Sequence, residues 1–437
     1  VTGLDQSQVS ASAEPTGIRH RVLALTTLMA VLLYLDRVCI SVTAPLMVEE
    51  FCLNTMQVGL LFSVFFFAYA LAQVPAGWLG DRLGPRLILT GSVLAWSLAT
   101  GLTGLMNGLA GLLVVRLVFG ISQAGAYPIA ARINSLWIPF PRRAFASSMV
   151  ALGGRLGGAL APVVTALLLV AFGGWRAVFW YYALLGAGWS IVFWRGFRAT
   201  PADHPECNDA EAHLIESSLP PESTSPHGSA LSIPWAAVCR SLGLWMQCLM
   251  QLFSNIAWVF LITWMPTYLM EEYGLEPEPA GALSSLPLFA GMCGCFLGGI
   301  VTDRLTRRLG LKWGRNGPGL GSKLAAAAGL MGAVAAQDPV LATAALAFAA
   351  FATDMGLGAT WAYFQDTGGP YVGTMLGWAN MFGNLGAFIS PILLGGLRQA
   401  VSWQLALTVG AAMYLLAGLC WLGMDARVPI VPRAAEH

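Results

Sequence analysis

The sequence predicts an all-α membrane protein of twelve transmembrane helices, built as two pseudo-symmetric six-helix bundles. Three observations predict it. Of 437 residues, 57% are hydrophobic and only 10% charged; apolar stretches of roughly twenty residues recur along the whole chain; and an arginine-rich motif appears twice at a fixed interval. A water-soluble fold has no way to hide that much apolar surface. Glycine, at 50 residues, is scattered through the apolar runs, as suits helices packed closely in lipid.

A hydrocarbon core about 30 Å thick takes roughly twenty residues of helix. The apolar runs place spans at 22–43, 57–79, 86–107, 110–137, 145–170, 175–197, 238–268, 280–302, 320–336, 339–363, 371–395 and 402–424. One long polar stretch, rich in Pro, Ser and Glu, separates six spans from six. The expected organisation is a first bundle over 1–198, a cytoplasmic linker over 199–236 and a second bundle over 237–437. The start of the sequence shows no short apolar stretch ending in a cleavage site, so insertion is expected to rely on the first span.

Charge placement gives the orientation. Arg82, Arg86, Arg142, Arg143, Arg195, Arg198, Arg304, Arg307, Arg308, Lys312 and Arg315 fall in alternate predicted loops, whereas the intervening loops carry Glu49, Glu50, Glu271, Glu272, Glu276 and Glu278. Positive loops stay inside, so both termini and the linker are expected on the cytoplasmic side. The halves also repeat. Gly77, Asp81, Arg82 and Arg86 recur 222 positions later as Gly299, Asp303, Arg304 and Arg308, and Glu49-Glu50 recur at the same offset as Glu271-Glu272. A second match sets Arg155 through Pro162 against Asn384 through Pro391, which makes spans 5 and 11 equivalent.

Other classes are excluded on composition and motif. A formal net charge of +1 without a basic tract gives no footprint for nucleic acid. The eight cysteines lack zinc-site or disulfide-framework spacing, and no metal or cofactor is expected. No HExxH, GxSxG or paired catalytic Asp motif falls on a span, so a membrane-embedded enzyme is not expected.

The stretch from Gly77 to Arg86, GWLGDRLGPR, resembles the signature loop of the major facilitator superfamily. Finer motifs resemble the anion:cation symporters within it, a group with bacterial galactonate, glucarate and hexuronate transporters, sialin and vesicular glutamate carriers. These motifs are Tyr34-Leu35-Asp36-Arg37, Tyr69 with Pro75, Arg116 with GISQAGAYP, TWMPTYL from Thr263, and the stretch from Asp366 to Asn384. The resemblance implies alternating access to a midplane site between the halves, a small organic anion such as a sugar acid as substrate, and a proton as coupling ion. It also implies a bacterial inner-membrane location; a monomer in the bilayer is expected.

The residues themselves point to an anion. An ionisable side chain inside the membrane is expensive and must face protein or water. Arg37, Arg116 and Arg155 stand against Asp36 and, in span 10, Asp354. Arginine cannot shed its charge, and its planar fork matches a carboxylate. Tyr34 and Arg37, three apart, share a helix face, with Asp36 turned about 100° away. In span 4, Arg116, Gln123 and Tyr127 form a polar stripe, and in span 11 Asn380 and Asn384 lie on one face. The expected substrate contacts are Arg37, Tyr34, Tyr69, Arg155, Tyr127, Asn380, Asn384, Asn255 and Trp258. Each has a bland alternative as helix glue, and Arg116 as a pin for Gln123. Asp81, Arg82, Arg86, Asp303, Arg304 and Arg308 are expected to latch helix ends.

The resemblance implies two coupling carboxylates, one beside the span 1 arginine and one in span 4. Asp36 fits the first, with Arg116 nearby. Gln123 stands where many relatives carry glutamate, and an amide keeps the shape of a protonated acid but exchanges no proton. Three readings stay open: one proton through Asp36, transport without tight coupling, or a chain altered to a protonated-like state. The expected cycle has Asp36 release Arg37 on protonation, with Arg155 and Asn384 holding the far end of the anion. Aligning the halves sets Asp36 against Trp258 and Arg37 against Val259, so the second half is expected to offer only neutral contacts.

Overall fold

The computed structural model describes residues 14–217, 233 and 235–430. Both ends of the expected bundles and the later part of the linker, 218–232 and 234, lie outside the described residues. The helices in chain order are α1 (Ile18–Phe51), α2 (Thr55–Leu83), α3 (Pro85–Thr103), α4 (Leu109–Gln123), α5 (Ala126–Trp137), α6 (Arg143–Phe172), α7 (Trp175–Gly196), α8 (Asp209–Glu216) and α9 (Trp235–Arg240). They continue as α10 (Leu242–Thr263), α11 (Met265–Tyr273), α12 (Pro277–Ala335), α13 (Pro339–Met355), α14 (Leu357–Thr367), α15 (Val372–Ala400) and α16 (Trp403–Cys420).

Ten stretches of the described residues are long and apolar enough to cross a membrane. One of them, Glu278–Ala335, holds two passes, because Gly310 breaks α12 with φ 76° and ψ 175°, a conformation that a side chain resists. Pro85–Thr103 supplies the remaining pass; Arg86 in its first turn lowers its hydropathy, yet it packs against α7 and α4. The total is the twelve expected.

Local chemistry sets the ends. A reciprocal capping box opens α2, Asn54 accepting from the Gln57 amide and Gln57 from the Asn54 amide, each at 2.9 Å. Asp338 accepts from the amides of Val340 and Leu341 to start α13, with Pro339 in the first helical position. Spans 4 and 10 are each broken at equivalent places, α4 from α5 at Ala124-Gly125 and α13 from α14 at Gly356.

Two corrections to the expected topology matter later. The predicted loop 303–319 is helical except at Gly310, so Arg315 is a fully buried helix residue rather than a loop charge. Arg143, also expected in a loop, is buried in the first turn of α6. Each carries a charge that local hydropathy assigns to water, but which its partners in the fold satisfy.

The pairs α1–α6 and α10–α15 are counterparts in the two halves, and the halves meet chiefly through α2 with α15 and α6 with α12. The early part of the linker is folded. Glu211 of α8 is fully buried and accepts from the amides of Ile18 and Arg19 at 3.0 Å, from the Arg19 guanidinium at 3.0 Å and from the Thr16 hydroxyl, capping the start of α1.

Candidate functional site

The repeated motif is built for contact between halves at one end of the molecule. Gly77 lets α2 touch the start of α15: a Cβ there would meet the Gly373 carbonyl oxygen at 2.3 Å. One turn on, Asp81 accepts from the Gly373 and Thr374 amides at 3.0 and 2.7 Å and from the Thr374 hydroxyl at 2.7 Å. The second copy does the same to the first half. A Cβ on Gly299 would meet Phe145 Cα at 2.6 Å, and Asp303 accepts from the Ala144 and Phe145 amides at 3.2 and 2.9 Å. Each carboxylate thus sits at the amino end of a helix of the opposite half, where free amides and the helix dipole favour an anion.

The arginines of the motif do not share in this. Arg86 donates to the Trp194 carbonyl and lies 4.3 Å from the Trp194 ring centre, inside its own half. Arg82 lies over Trp78, and Arg304 and Arg308 are exposed. Long side chains one position from the aspartates point off the contact face, which a shared motif does not reveal. The cations that do cross are others. Arg143 donates to the Gln365 carbonyl at 2.8 Å and pairs with Asp366 at 3.2 Å, and Arg132 donates to the Gly369 carbonyl at 3.0 Å; Arg315, within the second half, joins Asp366 at 2.8 Å to Asp303 at 3.3 Å.

The opposite end is clamped within halves instead. Glu50 accepts from the Trp175 indole at 2.8 Å and pairs with Arg176 at 2.7 Å. Glu271 accepts from the Trp403 indole at 2.9 Å and pairs with Arg398. Among the described residues, the hydrogen bonds between halves lie at the latch end or at the cavity.

Between the ends lies a cavity of about 200 Å³. All nine expected contacts line it: Tyr34, Arg37, Tyr69, Tyr127, Arg155, Asn255, Trp258, Asn380 and Asn384. Arg37 lies over the rings of Tyr34, Phe65 and Tyr69 at 5.0, 5.0 and 4.6 Å, and donates to Gln123 Oε1 from Nε at 3.3 Å and Nη2 at 3.2 Å. Gln123 in turn donates to the Leu33 carbonyl at 3.2 Å. The guanidinium is therefore held by aromatic faces and a neutral amide. Tyr127 meets Trp361 of the other half edge-on, with ring centres 5.1 Å apart, on the latch side of the breaks in spans 4 and 10.

Asp36 does not hold Arg37. Its carboxylate is buried and accepts from the Trp96 indole at 3.1 Å, while Arg116 lies over Phe119 at 4.9 Å. Adjacent residues on a helix face different ways, and here the 100° turn sends Asp36 away from the cavity. The expected release of Arg37 by protonation of Asp36 is thus corrected. Arg155 is corrected too, because it is not a free cation. It grips Asp354 in bidentate fashion, Nε to Oδ2 at 2.9 Å and Nη2 to Oδ1 at 2.8 Å, and stacks on Trp258 at 4.2 Å.

The second half is not neutral. Asp354 lines the cavity, and so does Lys323 of α12, which sequence reasoning missed. Lys323 is 3% exposed and donates to Ser254 Oγ at 2.8 Å. The signal was present as a lone lysine in GLGSKLAAAAGL. Starting the span at 320 put it at a membrane face; the helix begins just after Gly310, which moves it to mid-span.

Two helical bundles locked together at one end and parted by a charged cavity are the parts of a carrier. The chain belongs to the Major Facilitator Superfamily, whose profile matches residues 26–371. Over 410 residues it is 33% identical to a Cupriavidus necator protein named a probable sulfoacetate transporter, covering 92% of this chain and 93% of that one. It is 30% identical over 424 residues to the probable galactarate/D-glucarate transporter GarP of Escherichia coli, covering 92% and 94%. Among solved structures, the proton:xylose symporter XylE superposes with a TM-score of 0.72 at 14% identity over 94% of this chain and 98% of that one. The human organic anion transporter MFSD10 superposes with 0.69 at 16% identity over 92% and 99%. At those identities the structures speak for the fold, which is the major facilitator fold.

Proposed function

We propose that this chain is a secondary transporter of small organic anions, sugar acids or other short-chain acids, working by alternating access with the carboxylate of its substrate docked on Arg37. The observation that carries the reading is the state of that guanidinium: on a cavity wall, inside a membrane, with the neutral Gln123 amide and tyrosine side chains as partners and no carboxylate at salt-bridge distance among the described residues. An unmatched charge there costs several kcal/mol, which an anionic ligand offsets. The sulfoacetate and galactarate/D-glucarate named for the relatives are acids that would fit such an anchor.

In the cycle we propose, the conformation described here is closed at the latch end by Asp81, Asp303 and the Arg143–Asp366–Arg315 chain, with the Tyr127–Trp361 contact as its inner floor. Positive-loop placement supports a cytoplasmic position for that end, in what we take to be a bacterial inner membrane, with the cavity opening outward. Breaking the latches and forming contacts at the other end would turn it inward.

The proton coupling we propose is displaced from Asp36 to Asp354. The repeat supports this: Gln123 lies just before the break in span 4 and Asp354 just before that in span 10, so the acid absent from one pseudo-equivalent site occurs at the other. Protonating Asp354 would free Arg155 for substrate and loosen a contact between halves in one step. Asp36, turned away from the cavity, is left a structural partner of Trp96.

The test is uptake of radiolabelled galactarate, galactonate and sulfoacetate into proteoliposomes with imposed pH gradients. Saturable uptake of at least one acid, lost in Arg37→Gln, is expected. Undiminished uptake by that variant would overturn the carboxylate anchor.

A further inference from the structure

We infer that Lys323 is a second acid-binding point in the cavity, and that the substrates selected there carry two acid groups. The inference rests on the organic-anion reading and adds the substrate class to it.

The charges lining the cavity are Arg37, Arg155, Lys323 and Asp354. In the conformation described, both oxygens of Asp354 accept from Arg155. The remaining two positive charges are Arg37 from the first half and Lys323 from the second. Neither is matched by a carboxylate at salt-bridge distance among the described residues: Arg37 donates to the Gln123 amide and Lys323 to the Ser254 hydroxyl. An ammonium has three donors, and this bond uses one.

Depth removes the bland reading of a snorkelling lysine. Lys323 follows the Gly310 break by thirteen residues, about 20 Å along the axis, which is too far for its stem to reach the membrane surface. Two cations sharing one low-dielectric cavity repel each other, and a ligand with one negative charge relieves only one of them. A ligand with an acid group at each end neutralises both, and it bridges the halves as it does so. Gln123 strengthens the argument, because an ionised residue in its place would match Arg37 and leave the cavity suited to a single acid group.

The experiment is calorimetric titration of the purified full chain with two matched pairs, galactarate against galactonate and sulfoacetate against acetate, each differing in the second acid group. The wild type is expected to bind the doubly charged member of at least one pair about tenfold or more tightly. Lys323→Met should weaken that member about 30-fold or more and leave its monoacid partner within about threefold, while Lys323→Arg keeps the preference and shows that the site tolerates substitution. Equal weakening of both members by Lys323→Met would identify a structural pin for Ser254 and overturn the inference, as would a wild type that binds monoacids more tightly. Failure of the wild type to bind any of the four acids would instead overturn the anion reading itself.

Discussion

The latch end and the central cavity descend from the same duplication, and they have fared differently. At the latch, Gly77 and Gly299 give close approach and Asp81 and Asp303 cap helices of the opposite half, position for position. Around the cavity, equivalent positions hold different chemistry: Arg37 against Trp258, Gln123 against Asp354, Arg155 against Asn384. The difference has a physical reason. Contacts that hold two similar bundles together work equally well from either side, whereas nothing in that packing keeps the groups on the two walls of the cavity alike. Symmetry persists where the halves grip each other and is lost around the cavity.

The largest effect is expected from Gln123→Glu. That substitution would set a carboxylate on Arg37 where the amide oxygen now lies at 3.2 Å. Anion affinity at neutral pH should fall by about 2 kcal/mol or more, roughly 30-fold, because the substrate must displace an internal partner. Lowering the pH should restore affinity as the new acid is protonated. Titrations at several pH values check both, and an affinity indifferent to the substitution would remove Arg37 as the anchor.

The latches should respond to a smaller degree, and alike. Asp81→Asn and Asp303→Asn each weaken hydrogen bonds to an ionised acceptor, worth about 1.5–3 kcal/mol. Both should shift the resting population away from the latched form to a similar extent, read as labelling of a cysteine introduced between α2 and α15. Markedly unequal shifts would mean that the repeat is not functionally symmetric at this end.

The smallest effect is expected at Glu211, which ties the linker to the first half only. Burial raises its carboxyl pKa, but hydrogen bonds from Thr16 and from the Arg19 and Ile18 amides, with the Arg19 charge, outweigh this and hold it below the ordinary 4.5. Its contribution is therefore full above that value and is lost as pH falls through the lowered one. Glu211→Gln should raise hydrogen exchange in the first turn of α1 at neutral pH, at a cost of about 1 kcal/mol. Below pH 4.5 the wild type should approach the variant once intrinsic exchange rates are corrected.

What the sequence made legible follows the same division. Twelve spans and the repeat are written in hydropathy and spacing, and the nine residues expected as substrate contacts do line one cavity. Their pairings were not legible. That Arg155 grips Asp354, that Arg143 pairs with Asp366 and that Trp361 meets Tyr127 are facts of how two halves dock, and helical spacing reports only neighbours on one helix. Lys323 was hidden by a span boundary: a single glycine break let a helix begin ten residues before the hydropathy rises.

The proposed coupling acid, Asp354, lies in the second half of an asymmetric cavity. The decisive experiment records proton movement during anion uptake into proteoliposomes for the wild type, Asp36→Asn and Asp354→Asn. Asp36→Asn is expected still to move protons with the anion, whereas Asp354→Asn exchanges anion across the membrane without them. Proton movement lost in Asp36→Asn and kept in Asp354→Asn would contradict that assignment.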